Sequence, residues 1–282
     1  MEKSSARVAL VTGAANGIGK TISLALAAQG IRVAAVDRDG QALDALHSEA
    51  HGLHDGALVL ETFTADLSAP DAASVVPEVL RCFGQVDILV NNAGVGQIQV
   101  KPDYHEHPPR FYEVSEEQWQ RAVAVNASAV FLLSRAVAPA MVERGWGRII
   151  NVTTSLGTML RAGYTPYGPS KAAAEALSAV MAGDLEGTGV TVNVVVPGGV
   201  VNTRMIPSAA PFARDELIQP QIMLAPIEYL LSRDGDGVTG KRFLGSNWKS
   251  GLSPAEAAQV ASAPIGWRDI AMLPVVPKKS RR

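Results

Sequence analysis

A single cysteine, Cys82, stands among 282 residues, so no internal disulfide can form, which suits a reducing compartment. Neither sign of charge dominates. Lys and Arg number 25, Asp and Glu 27, and the net charge is −2. Such a balance argues against a broad nucleic-acid-binding face. No uninterrupted apolar run reaches the ~20 residues of a membrane helix, so no membrane contact is expected. Met1–Ala6 offers no apolar segment resembling a secretory leader, and a cytoplasmic location is the expectation. No repeat or low-complexity linker divides the chain. Hydrophobic residues make up 47%, which excludes general disorder.

What is present is an alternation of short apolar runs with longer amphipathic stretches. Strands are expected at Val8–Thr12, Arg32–Val36, Ala57–Thr64, Val86–Val90, Arg148–Val152, Val190–Val196 and Val238–Leu244. Helices are expected at Lys20–Gln29, Gln41–Ala50, Ala72–Phe83, Trp119–Val142, Ser170–Glu186 and Ile227–Ser232. Continuously apolar strands separated by helices indicate a parallel sheet covered on both faces, hence an α/β, doubly wound, Rossmann-type single domain. The domain is placed at 1–245. Residues 246–282 form a C-terminal extension on or near the active site, ending in a solvated basic tail. Two long proline-containing stretches, Gly96–Glu113 and Asn202–Pro226, read as substrate loops.

Strand one runs into Thr12-Gly-Ala-Ala-Asn-Gly-Ile-Gly19 and then a helix. Glycines let the backbone turn tightly against a pyrophosphate, and the helix N-terminus offers free N–H groups. Asp37, at the end of strand two, can accept hydrogen bonds from both ribose hydroxyls of an adenosine and would repel a 2′-phosphate. This favours NAD over NADP, although the guanidinium of Arg38 beside it can pair with a phosphate. In Tyr167-Gly-Pro-Ser-Lys171 the phenol and the ammonium fall one helical turn apart. A nearby cation lowers a phenol's pKa, which makes the pair a proton-transfer device. His51 with His54, and His105 with His107, lack further ligands and read as surface histidines, so no metal is expected. Cys82 reads as a helix core residue.

Together with Asn91-Asn-Ala-Gly94 after a buried strand and Asn126 in a helix, these motifs resemble, in order and approximate spacing, the short-chain dehydrogenase/reductase (SDR) family over roughly residues 6 to 245. The resemblance implies a role for each matching position. Gly13, Asn16, Gly17, Ile18 and Gly19 would hold the pyrophosphate, and Asp37 the adenosine ribose. Asp66 and Leu67 would contact adenine. Asn92, Ala93 and Gly94 would line the cofactor. Pro197, Gly198, Val200 and Thr203 would orient the nicotinamide. Tyr167 would be the catalytic acid/base, Lys171 would depress its pKa and bind the nicotinamide ribose, and Asn126 would hold a water linking Lys171 to solvent. The family's usual serine, 13 residues before the tyrosine, is replaced by Thr154, with Ser155 next to it; either hydroxyl can polarise the substrate oxygen.

The expected activity is reversible hydride transfer between NAD(H) and a secondary alcohol or its ketone, the small-molecule partner. The expected assembly is a homotetramer or homodimer joined through the helices around Trp119–Val142 and Ser170–Glu186. A regulatory or scaffold protein that binds nucleotide with little catalysis is the alternative, favoured by the missing serine. An epimerase or dehydratase on the same fold also stays open.

Overall fold

The run Val8–Thr12 forms strand β1, and all five of its residues are buried. A strand apolar on both faces needs cover on both faces, the situation of a parallel sheet. The computed structural model, which describes residues 6–52, 59–207, 210 and 212–267, has that architecture. The strands after β1 are β2 (Arg32–Asp37), β3 (Leu60–Thr64), β4 (Ile88–Asn91), β5 (Gly147–Val152), β6 (Val190–Val196), β7 (Lys241–Leu244) and β8 (Ser262–Pro264). Sheet order is β3-β2-β1-β4-β5-β6-β7-β8. The first seven strands pair in parallel, and β8 pairs antiparallel with β7. Strand order reverses between β1 and β4. Loops at the carboxyl ends diverge there and leave a crevice where ligands of such sheets bind.

The helices are α1 (Gly17–Ala28), α2 (Gly40–His51), α3 (Val75–Phe83), α4 (Glu116–Val123), α5 (Ala129–Glu143), α6 (Leu156–Met159), α7 (Tyr167–Asp184), α8 (Leu224–Leu231) and α9 (Pro254–Ala261). One face of the sheet packs α1, α2 and α8 around Ile22, Leu26, Leu43 and Ile227. The other packs α3, α5 and α7 around Val79, Leu133, Val137 and Ala182. α4 begins with a reciprocal cap between Ser115 and Gln118, which satisfies two otherwise free backbone donors. Between α4 and α5 the helix widens into a π-turn at Ala124–Ser128. The whole run Glu116–Glu143 is long and apolar enough, by length and composition, to cross a bilayer. Here it lies against the sheet, with Leu133 and Met141 fully buried.

Two expectations need correction. Cys82 is exposed: the buried face of α3 is Val75, Val76, Val79 and Phe83, and Cys82 falls on the opposite side. α7 starts at Tyr167 instead of Ser170, because Pro169 is compatible with a first helical turn. Of the expected C-terminal extension, Ser246 lies against Gly198, and Gly266 N–H donates to Glu175. α9 packs on α8, and β8 covers the edge that β7 would leave unpaired. Trp248 packs its ring 5.8 Å from that of Tyr229 on the α8 side. The expected basic tail, and His54, lie outside the described residues.

Candidate active site

The glycine-rich turn is built by close approach. Gly13 and Gly17 have φ of 63° and 52°, a left-handed region that side chains avoid. A Cβ on Gly19 would sit 2.0 Å from the Gly13 carbonyl oxygen, so only glycine lets α1 start this near the turn. Asn92 latches the same turn: its Nδ2 donates to the carbonyls of Thr12 (2.9 Å) and Gly13 (3.2 Å). In return the Thr12 hydroxyl accepts from the backbone N–H of Asn92 and Ala93 at 3.0 and 3.1 Å. The motifs after β1 and β4 therefore brace one another across the switch point.

Together they form one wall of a crevice of about 480 Å³. Asp37 sits at the end of β2. Its carboxylate accepts from the N–H of Ala15 at 3.1 Å and of Asp39 at 3.1 Å, which fixes it at the rim. Asp66 is held by Ser68, whose N–H and hydroxyl both donate to it; these bonds keep its carboxyl below the usual carboxylate value. Two donors on the wall, Asn16 Nδ2 and Arg121 Nε, are buried without a partner among the described residues. Buried donors left unpaired are costly, so this wall is complementary to a ligand rich in acceptor oxygens. A narrow glycine cradle, two orphaned donors and a carboxylate at the rim fit a dinucleotide.

The opposite wall carries the tyrosine and the lysine. Tyr167 opens α7 and Lys171 follows one turn later. Gly168 permits this start, since a Cβ there would lie 2.7 Å from the Met159 carbonyl of α6. Ser170 donates to the Tyr167 carbonyl at 2.9 Å and accepts from Asn126 Nδ2 at 2.9 Å, tying α7 to the π-turn. Thr154, just past β5, lies beside Tyr167 in the crevice lining. Burial pushes the Tyr167 phenol above its ordinary value of 10, and Thr154 opposes that rise. Lys171 is buried and donates to the Val152 carbonyl at 2.8 Å. Loss of water pushes its pKa from 10.5 down to about 8. The sequence expectation was that Lys171 depresses the phenol. In this structure the ammonium turns to the β5 backbone, and it is Thr154 that pulls the phenol down.

Most residues singled out in the sequence line the crevice: Gly13, Asn16, Gly17, Ile18, Asp37, Asp66, Leu67, Asn92 to Gly94, Thr154, Tyr167, Lys171, Pro197 and Thr203. Five do not. Gly19 stands behind the turn. Gly198 faces Ser246, whose Oγ a Cβ there would meet at 2.0 Å, and Val200, 39% accessible, is not part of the lining. Ser155 caps α6, where it accepts from Thr158 N–H at 3.2 Å, whereas Thr154 lines the crevice. Asn126 is fully buried behind Gly94, and its carboxamide pairs with both backbone groups of Val95.

Sequence reading missed Arg121 on α4, Val125 in the π-turn, Asp39 and Arg204. Arg204 reaches from the loop after β6 to Asp39, 3.2 Å away, bridging the crevice mouth. Such pairing between distant loops leaves no local pattern, although Arg121 and Val125 lie one turn apart just before Asn126. The two expected loops meet each other. Tyr104 packs edge-on to Tyr164 at 6.0 Å, and His105 edge-on to Phe212 at 5.2 Å. Among the described residues no group of three or more potential ligands is placed to hold a metal.

A doubly wound sheet with a dinucleotide-shaped cradle at its switch point and a tyrosine–lysine–threonine cluster on the facing wall defines a nucleotide-dependent oxidoreductase. A family model described as short chain dehydrogenase matches residues 7–212. D-threitol dehydrogenase of Mycolicibacterium smegmatis is 36% identical over 197 residues, 68% of this chain and 69% of that protein. The 3-oxoacyl-acyl-carrier-protein reductase FabG of Thermotoga maritima is 31% identical over 83% of this chain and 94% of its own length. A metagenomic short-chain oxidoreductase solved in complex with NADP superposes with a TM-score of 0.69 at 31% identity, covering 84% of this chain and 95% of that one. The chain belongs to the short-chain dehydrogenase family.

Proposed function

We propose that this oxidoreductase interconverts a secondary alcohol and its ketone with NAD(H), using Tyr167 as general acid/base. The observation that carries this reading is the convergence of Thr154, Tyr167 and Lys171 on one wall of the crevice. A bound nicotinamide supplies or accepts the hydride. Asn16 and the α1 N-terminus would hold its pyrophosphate, Asp37 its adenosine ribose, and Lys171 its nicotinamide ribose. In reduction, Tyr167 donates its phenolic proton to the ketone oxygen, and the Thr154 hydroxyl donates a hydrogen bond to the same oxygen. A phenol above its ordinary value of 10 is protonated at neutral pH, so the resting site is poised for reduction.

Three finer readings accompany it. The Asp37 carboxylate favours NAD, since a 2′-phosphate beside it would be repelled; the related structure that holds NADP sets the competing expectation. Ile98, Val125 and Met205 in the crevice lining suit an apolar or ring-bearing substrate. Exposed Trp119, Phe131 and Val180 on α4, α5 and α7 suit a homodimer or homotetramer interface.

The test follows NADH and NADPH absorbance with cyclohexanone, acetoin and acetoacetyl-CoA, and NAD reduction with D-threitol. Turnover with NADH, best on the ring-bearing ketone, is expected. Tight nucleotide binding with no turnover on any of them would instead fit a regulatory protein. Selectivity for the polyol would overturn the substrate reading alone.

A further inference from the structure

Tyr167, Lys171 and Glu175 recur at intervals of four along α7 and so share one helix face. The first two belong to the site already described. Glu175 is fully buried, and its partner Arg242 on β7 is 3% exposed. Arg242 Nη1 donates to Glu175 Oε2 at 2.8 Å. Removing two ions from water is expensive, and a buried pair adds little net stability over apolar packing. What this pair does is grip the chain leaving β5. The Thr153 hydroxyl donates to Glu175 Oε2 at 2.7 Å. Arg242 Nη2 donates to the carbonyl oxygen of Thr154 at 2.6 Å. Gly266 N–H, just past β8, donates to the other carboxylate oxygen, Oε1, at 3.1 Å. One helix thus carries the phenol and also the anchor for the threonine beside it.

We propose that Glu175 and Arg242 are positioning residues: their buried pair fixes the backbone at Thr153–Thr154 so that the Thr154 hydroxyl stays beside Tyr167 and on the substrate oxygen. The C-terminal edge segment completes the pair through Gly266. This rests on the roles given above to Thr154 and Tyr167.

The test is a double-mutant cycle on the best ketone of the panel. Glu175→Gln keeps the shape and removes the charge. Arg242→Lys keeps the charge but lacks the second nitrogen that reaches Thr154. Each should lower kcat about 10- to 100-fold, as small misplacements do, with NADH affinity and substrate KM unchanged. Thr154→Ala should lower kcat ~10²-fold, the loss typical of one donor to the reacting oxygen. In Glu175→Gln/Thr154→Ala the two losses should not add, because the anchor has no hydroxyl left to position. Losses that multiply would overturn the positioning role and leave the pair merely structural. Undiminished kcat in Thr154→Ala would overturn the reading of Thr154 instead. If Glu175→Gln fails to fold, Arg242→Lys with Thr154→Ala makes the same comparison.

Discussion

Replacing Lys171 by methionine should make the protein more stable while disabling it. Lys171 is 4% exposed, and its ammonium has one hydrogen bond, to Val152. Burial holds its pKa at about 8 against 10.5 for a free side chain. That displacement corresponds to about 3 kcal/mol of penalty for keeping the charge inside. Losing the hydrogen bond to Val152 returns about 1 kcal/mol of that. Methionine matches the length and fills the space, so Lys171→Met should gain about 2 kcal/mol at neutral pH, or about 4 °C in Tm at this chain length. The gain has a definite pH dependence. The unfolded chain keeps the lysine proton up to 10.5, whereas the folded one releases it near 8. The penalty is therefore complete below pH 8 and vanishes as pH rises through 10.5, and the advantage of Lys171→Met vanishes with it. Thermal melts of both proteins without nucleotide, at neutral pH and at pH above 9, read this directly. A variant less stable than the parent at neutral pH, or an advantage independent of pH, would refute the reasoning.

Tyr167→Phe should lose at least ~100-fold in turnover, the scale of a general acid, with NADH binding measured by fluorescence unchanged. Ketone reduction should hold level through neutral pH and fall only above the ordinary tyrosine value of 10, whereas alcohol oxidation, which needs the phenolate, should climb with pH throughout; initial rates in both directions check this. Asp37→Asn should weaken NADH and strengthen NADPH about tenfold each in titrations, since hydrogen bonds to a charged group carry ~1.5–3 kcal/mol. Gly19→Ala should cost ~1–3 kcal/mol in urea unfolding, because its Cβ meets the Gly13 carbonyl at 2.0 Å.

The alternation of apolar runs and helices was readable because each signal is local: β6 was placed at Val190–Val196 and β1 at Val8–Thr12, as found. The glycine turn, Asp37 and the Tyr167–Lys171 spacing were readable for the same reason. Three-dimensional choices were not. Thr154 and Ser155 are equivalent in sequence, and only the start of α6 shows that Ser155 is occupied as a cap. The ammonium of Lys171 sits one turn from the phenol, yet its preference for the Val152 carbonyl depends on how α7 crosses β5. Strand β8 has three residues, Ser262–Pro264, two of them exposed, and carries no apolar pattern to announce it. Glu175 and Arg242 are 67 positions apart, and neither suggests the other until the sheet brings β7 beside α7.

The most direct measurement uses NADH deuterated on its transferring carbon, mixed with the ketone the enzyme prefers. The product alcohol from the parent protein should carry deuterium on its carbinol carbon, and Tyr167→Phe should form almost none in the same time. Equal deuterium incorporation by both proteins would remove Tyr167 from the proton transfer, and no incorporation by the parent would contradict hydride transfer in this crevice.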